Sequence, residues 1–121
     1  MIKPMELIKR KPGISRDEFI RHYEEAHAPL ALKYLQTFSR YVRNYAITPP
    51  GPEEPDLNCI TEIWFDDIER AMTVIDALGG YKDDAVSRYT TEIGRVFHED
   101  EEKFMDRGSR VSLLVEEKVS K

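Results

Sequence analysis

Residues 15–38 read SRDEFIRHYEEAHAPLALKYLQTF, and this segment opens with a helix signal. Ser15 and Glu18 form a capping box, in which the Ser hydroxyl accepts from the amide three residues on and the Glu side chain reaches back. Apolar residues then recur at steps of three and four, which is the spacing of one buried helix face. They are Phe19, Ile20, Tyr23, Leu30, Tyr34, Leu35 and Phe38. The segment therefore predicts a long amphipathic helix.

Strand-like segments lie on both sides of this helix. The predicted strands are residues 5–11, 40–47, 59–65 and 110–118. A second helix is predicted from the N-cap at Asp66-Asp67 to Gly79-Gly80, and a further helical stretch covers residues 82–96. The order β-α-β-β-α(α)-β predicts one α+β domain over residues 1–121. Its expected architecture is ferredoxin-like, with helices on one face of a four-stranded antiparallel sheet.

Two other segments are interpreted as surface. Residues 49–55 contain four of the seven prolines and predict an irregular loop. We expect residues 49–58 to form a wall or lid of a cavity, or part of a dimer rim. The acidic run at residues 99–102 is interpreted as a solvated helix face, in a further helical turn that ends before Gly108.

Composition limits the partners. Among 121 residues, 18 Lys and Arg stand against 23 Asp and Glu, so the net charge is −5. This acidic balance gives no drive toward nucleic acid or anionic membranes. The first 13 residues contain neither a signal-peptide core nor a membrane span, so we expect a cytoplasmic protein. The single cysteine, Cys59, begins an apolar run and is interpreted as a buried structural thiol.

Both faces of the predicted sheet are apolar. In the third strand Ile60 and Trp64 lie on one side while Ile63 and Phe65 lie on the other, and the fourth strand shows the same mixture. Helices can cover only one face, and a large exposed apolar face is uncommon in a monomer. We therefore expect a second copy of the chain to cover the other face, giving a homodimer.

His27 is the informative polar residue. The buried stripe passes from Phe19 to Tyr23, and the next inward position is 27, where an imidazole replaces an apolar side chain. Pro29 lacks the amide that would bond the carbonyl of Glu25, so it predicts a kink and a gap beside His27. Because an unperturbed imidazole titrates near neutrality, we predict that His27 is a catalytic acid/base. The alternative is a structural histidine that is bonded inside the core.

Further polar residues complete the predicted site. Tyr23 lies one turn before His27 on the same helix face, where it either shares the substrate or packs in the core. Glu62 lies between Ile60 and Trp64. If that side of the strand meets the helices, Glu62 orients the second nitrogen of His27 or serves as a second acid/base; otherwise it reaches solvent. The predicted substrate-binding residues are Tyr41, Asn44, Trp64 and His98.

The sequence lacks patterns for metal or covalent chemistry. His22 and His27 are five residues apart, which is not a metal-ligand spacing, and residues 99–102 lack the pattern of a calcium loop. No nucleophile elbow or phosphate-binding loop is present. We therefore expect neither metal nor cofactor. The interpretation that remains is a small aromatic-lined pocket between sheet and helices that holds an imidazole and hydroxyls.

Five segments carry a family resemblance: LIKRKPGISRDEF (7–19), HYEEAHAPLA (22–31), RYVRNYAI (40–47), ITEIWFD (60–66) and FHEDEEKFMDRGSRVSLLVEEKV (97–119). In these segments the chain resembles the EthD-type members of the dimeric α+β barrel superfamily. The signature His-x-Pro triplet of that family corresponds to His27-Ala28-Pro29, and its acidic-aromatic pair to Glu62 and Trp64. The resemblance implies a homodimer whose two sheets close a barrel, with each cavity between a sheet and its own helices.

The resemblance also implies a range of functions. The family and its relatives include cofactor-free decarboxylases and dehydratases of aromatic polyketides, lactone isomerases and polyketide cyclases. We therefore predict a cofactor-independent lyase or isomerase that decarboxylates, dehydrates or cyclises a small hydrophobic oxygenated molecule, aromatic or polyketide-like, through His27. One alternative is a non-catalytic ligand-binding accessory protein. The other is a haem-dependent oxidative enzyme using His27 or His98, because other branches of the superfamily bind haem through a histidine.

Overall fold

A computed structural model describes residues 2–35, 37–48, 57–77 and 91–121. The elements in chain order are β1 (Ile2–Ile8), α1 (Arg16–His22), a π-helical segment (Tyr23–His27), α2 (Ala28–Tyr34), β2 (Arg40–Tyr45), β3 (Cys59–Trp64), α3 (Ile68–Ala77), α4 (Glu92–Glu101), a 3-10 turn (Arg107–Ser109) and β4 (Val111–Glu116). β1 lies nearer the N-terminus than predicted. Gly79-Gly80, the loop at 49–56 and most of the predicted helical stretch at 82–96 lie outside the described residues.

The four strands form one antiparallel sheet in the order β2-β3-β1-β4. Its register gives two faces, because directly paired residues of neighbouring strands point to the same side. The inner face, toward the helices, carries Pro4, Glu6, Ile8, Tyr41, Arg43, Tyr45, Cys59, Thr61, Ile63, Ser112 and Leu114. The outer face carries Lys3, Met5, Leu7, Arg40, Val42, Asn44, Ile60, Glu62, Trp64, Val111, Leu113 and Val115. The predicted α+β, ferredoxin-like arrangement is confirmed.

The first helical region is interrupted where a kink was predicted. It begins as expected, because the Ser15 side chain accepts from the amide of Glu18 at 3.1 Å. From Tyr23 to His27 the helix widens into a π-helical segment, in which the amide of Ala28 bonds the carbonyl of Tyr23 five residues back. Pro29 follows directly, in the first turn of α2. The wider turn gives space to the ring of Pro29, which would clash with the preceding turn of a regular α-helix.

Two clusters of buried side chains form the core between the helices and the inner face. The first cluster comprises Ile8, Phe19, Tyr23, Cys59, Phe104 and Met105, and the second comprises Ala31, Leu35, Phe65, Ala71, Val74 and Phe97. His27 lies between them, since its ring centroid is 5.1 Å from that of Phe104 and 5.5 Å from that of Phe97. Burial raises the pKa of the Cys59 thiol to about 12, which agrees with a structural role for that side chain.

The acidic run in α4 differs from its interpretation as a solvated face. Asp100 and Glu101 are buried, whereas Glu99 and Glu102 are exposed. The run therefore places two carboxylates in the core and two in solvent. None of the described helices is long and apolar enough to cross a membrane.

Candidate active site

A cavity of about 100 Å³ lies between the inner face of the sheet and the helices. Its apolar wall includes Ala31, Leu35, Ile63, Phe65, Val74 and Phe97. An apolar cavity of about 150 Å³ can hold benzene, so this space suits a molecule no larger than about one ring. Polar side chains converge on it from both the helices and the sheet, and they form two groups.

The first group is built around His27, which is buried on the π-helical segment. Its Nδ1 lies 2.8 Å from Oδ2 of Asp100, and the other oxygen, Oδ1, lies 2.9 Å from Nε2 of His22. One carboxylate is thus shared by two imidazoles. His22 is partly exposed, with 26% of its side-chain surface accessible. The hydrogen-bonded series His22, Asp100 and His27 therefore leads from the protein surface to the cavity.

The charge of Asp100 defines the tautomer of His27. Burial alone would raise the pKa of Asp100, but the hydrogen bonds from His27 and His22 lower it below its usual value. An ionised carboxylate only accepts hydrogen bonds, so the Nδ1 of His27 must be the donor. The lone pair of the neutral ring is then on Nε2, which has no hydrogen-bond partner within the described parts of the chain. His27 lines the cavity and is equipped there as a base.

Hydroxyl groups line the cavity beside His27. The Tyr23 hydroxyl lies 2.5 Å from Oγ1 of Thr61 on the inner face, and its ring stands edge-on to His27 with 5.5 Å between centroids. Tyr41 lines the same cavity from β2. Burial raises the pKa values of both tyrosines, so they remain protonated and able to donate.

The second polar group lies at the sheet end of the cavity. Nη1 of Arg110 donates to Oε1 of Glu101 at 2.6 Å and lies 3.8 Å from Oε1 of Glu6. The second oxygen of Glu101 lies 2.7 Å from Nδ1 of His98. Burial raises the pKa of Glu101, and the negative charge of Glu6 adds to that rise, while the hydrogen bond with His98 opposes it. Glu6, His98, Glu101 and Arg110 all line the cavity.

The predicted site residues divide between the two faces of the sheet. His27, Tyr23, Tyr41 and His98 meet at the cavity. Glu62, Asn44 and Trp64 lie on the outer face, so the expectation that Glu62 orients His27 is wrong. The parity of β3 turns Thr61 and Ile63 toward the helices and Glu62 away from them, and Asp100 binds the imidazole instead.

The three outer-face residues belong to a separate polar cluster. Nζ of Lys3 lies 2.8 Å from both Oε1 of Glu62 and Oε2 of Glu117. The same ammonium stands over the ring of Trp64 at 4.2 Å from its centroid. Asn44 donates to Oε2 of Glu62 at 3.1 Å. The hydrogen bond from Lys3 lowers the pKa of Glu62, so this carboxyl is an ion-pair partner rather than a proton carrier.

Sequence reasoning missed Asp100, Glu101, Arg110 and Glu6. A signal for the two acids in α4 was present, because apolar residues recur at Ile93, Phe97 and Phe104. Continuing that stripe by three or four residues from Phe97 leads to positions 100 and 101. This is the same argument that singles out His27. The inward direction of Glu6 could not be predicted, because the sequence does not show which side of β1 faces the helices. Nothing in the sequence distinguishes Arg110 from other surface-type residues.

The cavity does not fit a haem. At about 100 Å³ it is smaller than the roughly 300–1,000 Å³ of sites for drug-sized ligands. No group of three potential metal ligands occurs within the described ranges.

Comparison with known proteins identifies a family model and a fold. The model of the EthD domain matches residues 11–80. No curated protein sequence is significantly similar to the chain.

Several solved structures share the fold. An ethyl tert-butyl ether D (EthD) family protein of Bacillus halodurans is 19% identical, with a TM-score of 0.65 over 98% of this chain and 100% of that one. A protein from Bacteroides fragilis, described as dimeric, ferredoxin-like and of unknown function, is 13% identical, with a TM-score of 0.59 over 95% and 94%. An Arabidopsis thaliana protein is 11% identical, with a TM-score of 0.63 over 100% and 99%. At these identities the similarity establishes the fold alone.

Proposed function

The chain belongs to the EthD domain family, and from this premise we propose that it is a cofactor-independent enzyme of the lyase or isomerase type. It acts on a small hydrophobic oxygenated molecule by acid/base catalysis at His27. The family model covers residues 11–80. We propose that the domain extends over residues 1–121, because β1 and β4 pair within the same sheet.

One observation carries the proposal: the hydrogen bond from Nδ1 of His27 to Asp100 beside an apolar cavity. It leaves Nε2 of the ring as the base, and Asp100 stabilises the imidazolium that forms when Nε2 takes a proton. Catalytic histidines are commonly oriented in this way by a carboxylate. A buried structural histidine would need no such cavity on its other side.

The proposed reaction needs no group beyond these side chains. Nε2 of His27 removes a proton from a carbon next to a carbonyl group, and a hydroxyl of Tyr23 or Tyr41 donates to the oxygen on which negative charge develops. The imidazolium then returns the proton. Delivery to a leaving hydroxide completes a dehydration, and delivery to a different carbon completes an isomerisation.

We also propose that the functional unit is a homodimer formed by the outer faces of two sheets. Val111 and Leu113 on this face are 45% and 43% exposed, next to the apolar Met5 and Ile60. The buried Lys3 pair with Glu62 and Glu117 lies in the same surface. An exposed apolar sheet face of this kind is typical of a contact surface. The Bacteroides fragilis protein of similar fold is described as dimeric.

A ligand screen with a His27 variant tests the proposal. Single-ring phenols, enolisable ketones and lactones are screened by thermal shift, since ligand at 100 times its dissociation constant adds about 2.7 kcal/mol of stability. Ligands that bind are assayed for conversion by mass spectrometry without added cofactor. We expect His27→Asn, which cannot titrate, to lower turnover roughly 10²–10⁴-fold.

Controls separate catalysis from folding. The His27→Asn variant must keep the circular dichroism spectrum and the mass of the wild type. Full turnover in this folded variant would sink the proposal for His27. Saturable binding without turnover of any ligand would favour the accessory-protein alternative.

A further inference from the structure

Glu6 is a carboxylate on the inner face of the sheet, on the central strand β1. It pairs in register with Thr61 of β3 and Ser112 of β4, so its side chain rises from the floor of the cavity that His27 lines from the helix side. Its strand neighbour on the same face is the fully buried Ile8. A carboxylate at such a position needs a reason, because removing it from water is costly.

The described residues around Glu6 leave the hydrogen-bonding capacity of its side chain unused. Within the described parts of the chain its ion-pair partner is Arg110, at 3.8 Å, which is beyond hydrogen-bond distance. The same Nη1 of Arg110 donates to Glu101 at 2.6 Å instead. Across the described residues no donor bonds Glu6, and 26% of its side-chain surface remains accessible. A carboxylate in a cavity with unused lone pairs is suited to accept a hydrogen bond from a ligand.

The other charges at the cavity favour a neutral ligand. The titratable or charged groups among the described lining residues include the carboxyl groups of Glu6 and Glu101, the imidazoles of His27 and His98, and one guanidinium, that of Arg110. Arg110 already serves both carboxyl groups. A ligand carboxylate placed here would face Glu6 without a compensating cation, and like charges in a desolvated site repel strongly.

We propose that Glu6 is a substrate-binding residue that accepts a hydrogen bond from a hydroxyl of a neutral, single-ring phenol or enol, and that it excludes carboxylate ligands. This inference rests on the proposed function, since it places the reacting part of the same molecule at His27. The hydroxyl is held at the sheet, and the apolar wall holds the ring between the two polar groups.

Binding of three matched probes tests the inference: phenol, its methyl ether anisole, and benzoate. Dissociation constants are measured by calorimetry at pH 7 for the wild type, Glu6→Gln, Glu6→Leu and the control Glu69→Gln, which removes an exposed carboxylate from α3. We expect the wild type to prefer phenol over both other probes. The preference for phenol over anisole should fall about tenfold in Glu6→Gln and disappear in Glu6→Leu, because a charge-assisted hydrogen bond is replaced by a neutral one and then by none.

Benzoate should respond to substitution of Glu6 in the opposite direction from phenol. It should bind more tightly to Glu6→Gln than to the wild type, because the repelling charge is removed, while Glu69→Gln should match the wild type throughout. The inference is overturned if the wild type binds benzoate as tightly as phenol, if it binds no phenol saturably, or if the Glu6 variants keep the wild-type preference.

His27→Asn separates this inference from the proposed function. If the phenol preference is lost in His27→Asn and kept in the Glu6 variants, the hydroxyl is bound by the imidazole and the inference about Glu6 fails. If the preference depends on Glu6 but turnover survives in His27→Asn, then Glu6 stands as a binding residue and the catalytic proposal fails.

Discussion

Among single residues, Asp100 determines how the histidine side chains beside the cavity are held. Its two oxygens bind two imidazoles from α1 and the π-helical segment, so one side chain joins α4 to the first helical region. Its neighbour Glu101 binds His98 and Arg110. The two carboxyls have opposite pKa shifts, because the partners of Asp100 outweigh its burial whereas burial dominates for Glu101.

Asp100→Asn should destabilise the protein in a pH-dependent way. The pKa of Asp100 is lower in the folded protein than its usual value. The stability that its ionised form contributes is therefore fully present above the unfolded pKa of about 4, and it is lost as the pH falls through the lower folded value. We expect a loss of about 1–3 kcal/mol at pH 7. Urea unfolding at fixed protein concentration, from pH 7 to pH 3, measures the difference between wild type and variant.

The difference between the two proteins is the informative quantity. Glu101 has a raised pKa, so its contribution changes in the opposite direction, being lost as the pH rises. This contribution is common to both proteins and largely cancels. A difference in unfolding free energy that stays constant down to pH 3 would contradict the assignment of Asp100 as the ionised partner of His27.

The π-helical segment aligns side chains that an α-helix would spread apart. Tyr23, His27, Ala31 and Leu35 all line the cavity at steps of four residues. In an α-helix each such step turns about 40° past a full turn, so three steps would rotate the last side chain by about 120°. The wider turn from Tyr23 to His27 removes part of this rotation. It therefore keeps His27 directed at both Asp100 and the cavity.

Pro29→Ala tests this element. Alanine supplies the amide that proline lacks and removes the clash of its ring, so residues 23–29 gain the option of a regular α-helix. We expect the unfolding temperature to be unchanged or higher. Turnover of the best ligand from the screen should fall at least tenfold, because the His27 side chain rotates away from Asp100 and the cavity. Thermal unfolding and turnover are measured together.

Pro12→Ala is the matched control, since Pro12 is exposed in the turn before α1. It should leave turnover at the wild-type level. Wild-type turnover in Pro29→Ala would show that the alignment of His27 does not depend on the proline.

The two faces of the sheet give the whole molecule two different surfaces. The inner face forms the core and the cavity, whereas the outer face combines exposed apolar residues with the Lys3, Glu62 and Glu117 cluster. A charged cluster within a partly apolar surface favours one relative orientation of two copies, because a displaced partner would desolvate the charges without pairing them.

Leu113→Asp should therefore separate the proposed dimer. The wild type is expected at twice the chain mass of 14.1 kDa by light scattering at micromolar concentration. An unpaired carboxylate in the contact costs several kcal/mol, so the variant should be monomeric or unfolded. Leu32→Asp is the control, because Leu32 is 60% exposed on the helix layer and its variant should keep the dimer mass. A monomeric wild type would contradict the proposed assembly.

Local sequence patterns were sufficient for the fold. The capping box at Ser15 and the strand periodicities specify elements through contacts between near neighbours in the chain, and the order of those elements leaves few packing arrangements. The stripe argument likewise identified His27 and Tyr23 as inward-facing. The inward direction of these two side chains follows from the helix by itself, before any other element packs against it.

The partners of those residues were decided by tertiary structure. Whether Glu6 or Glu62 faces the cavity depends on which side of the sheet the helices cover, and strand alternation is symmetric between the two sides. Asp100 reaches His27 across 73 positions of sequence, so no local pattern connects them. A buried carboxylate and an exposed one look alike in an acidic run. Only packing against three histidines and an arginine makes burial of Asp100 and Glu101 favourable, and that packing exists only in the folded chain.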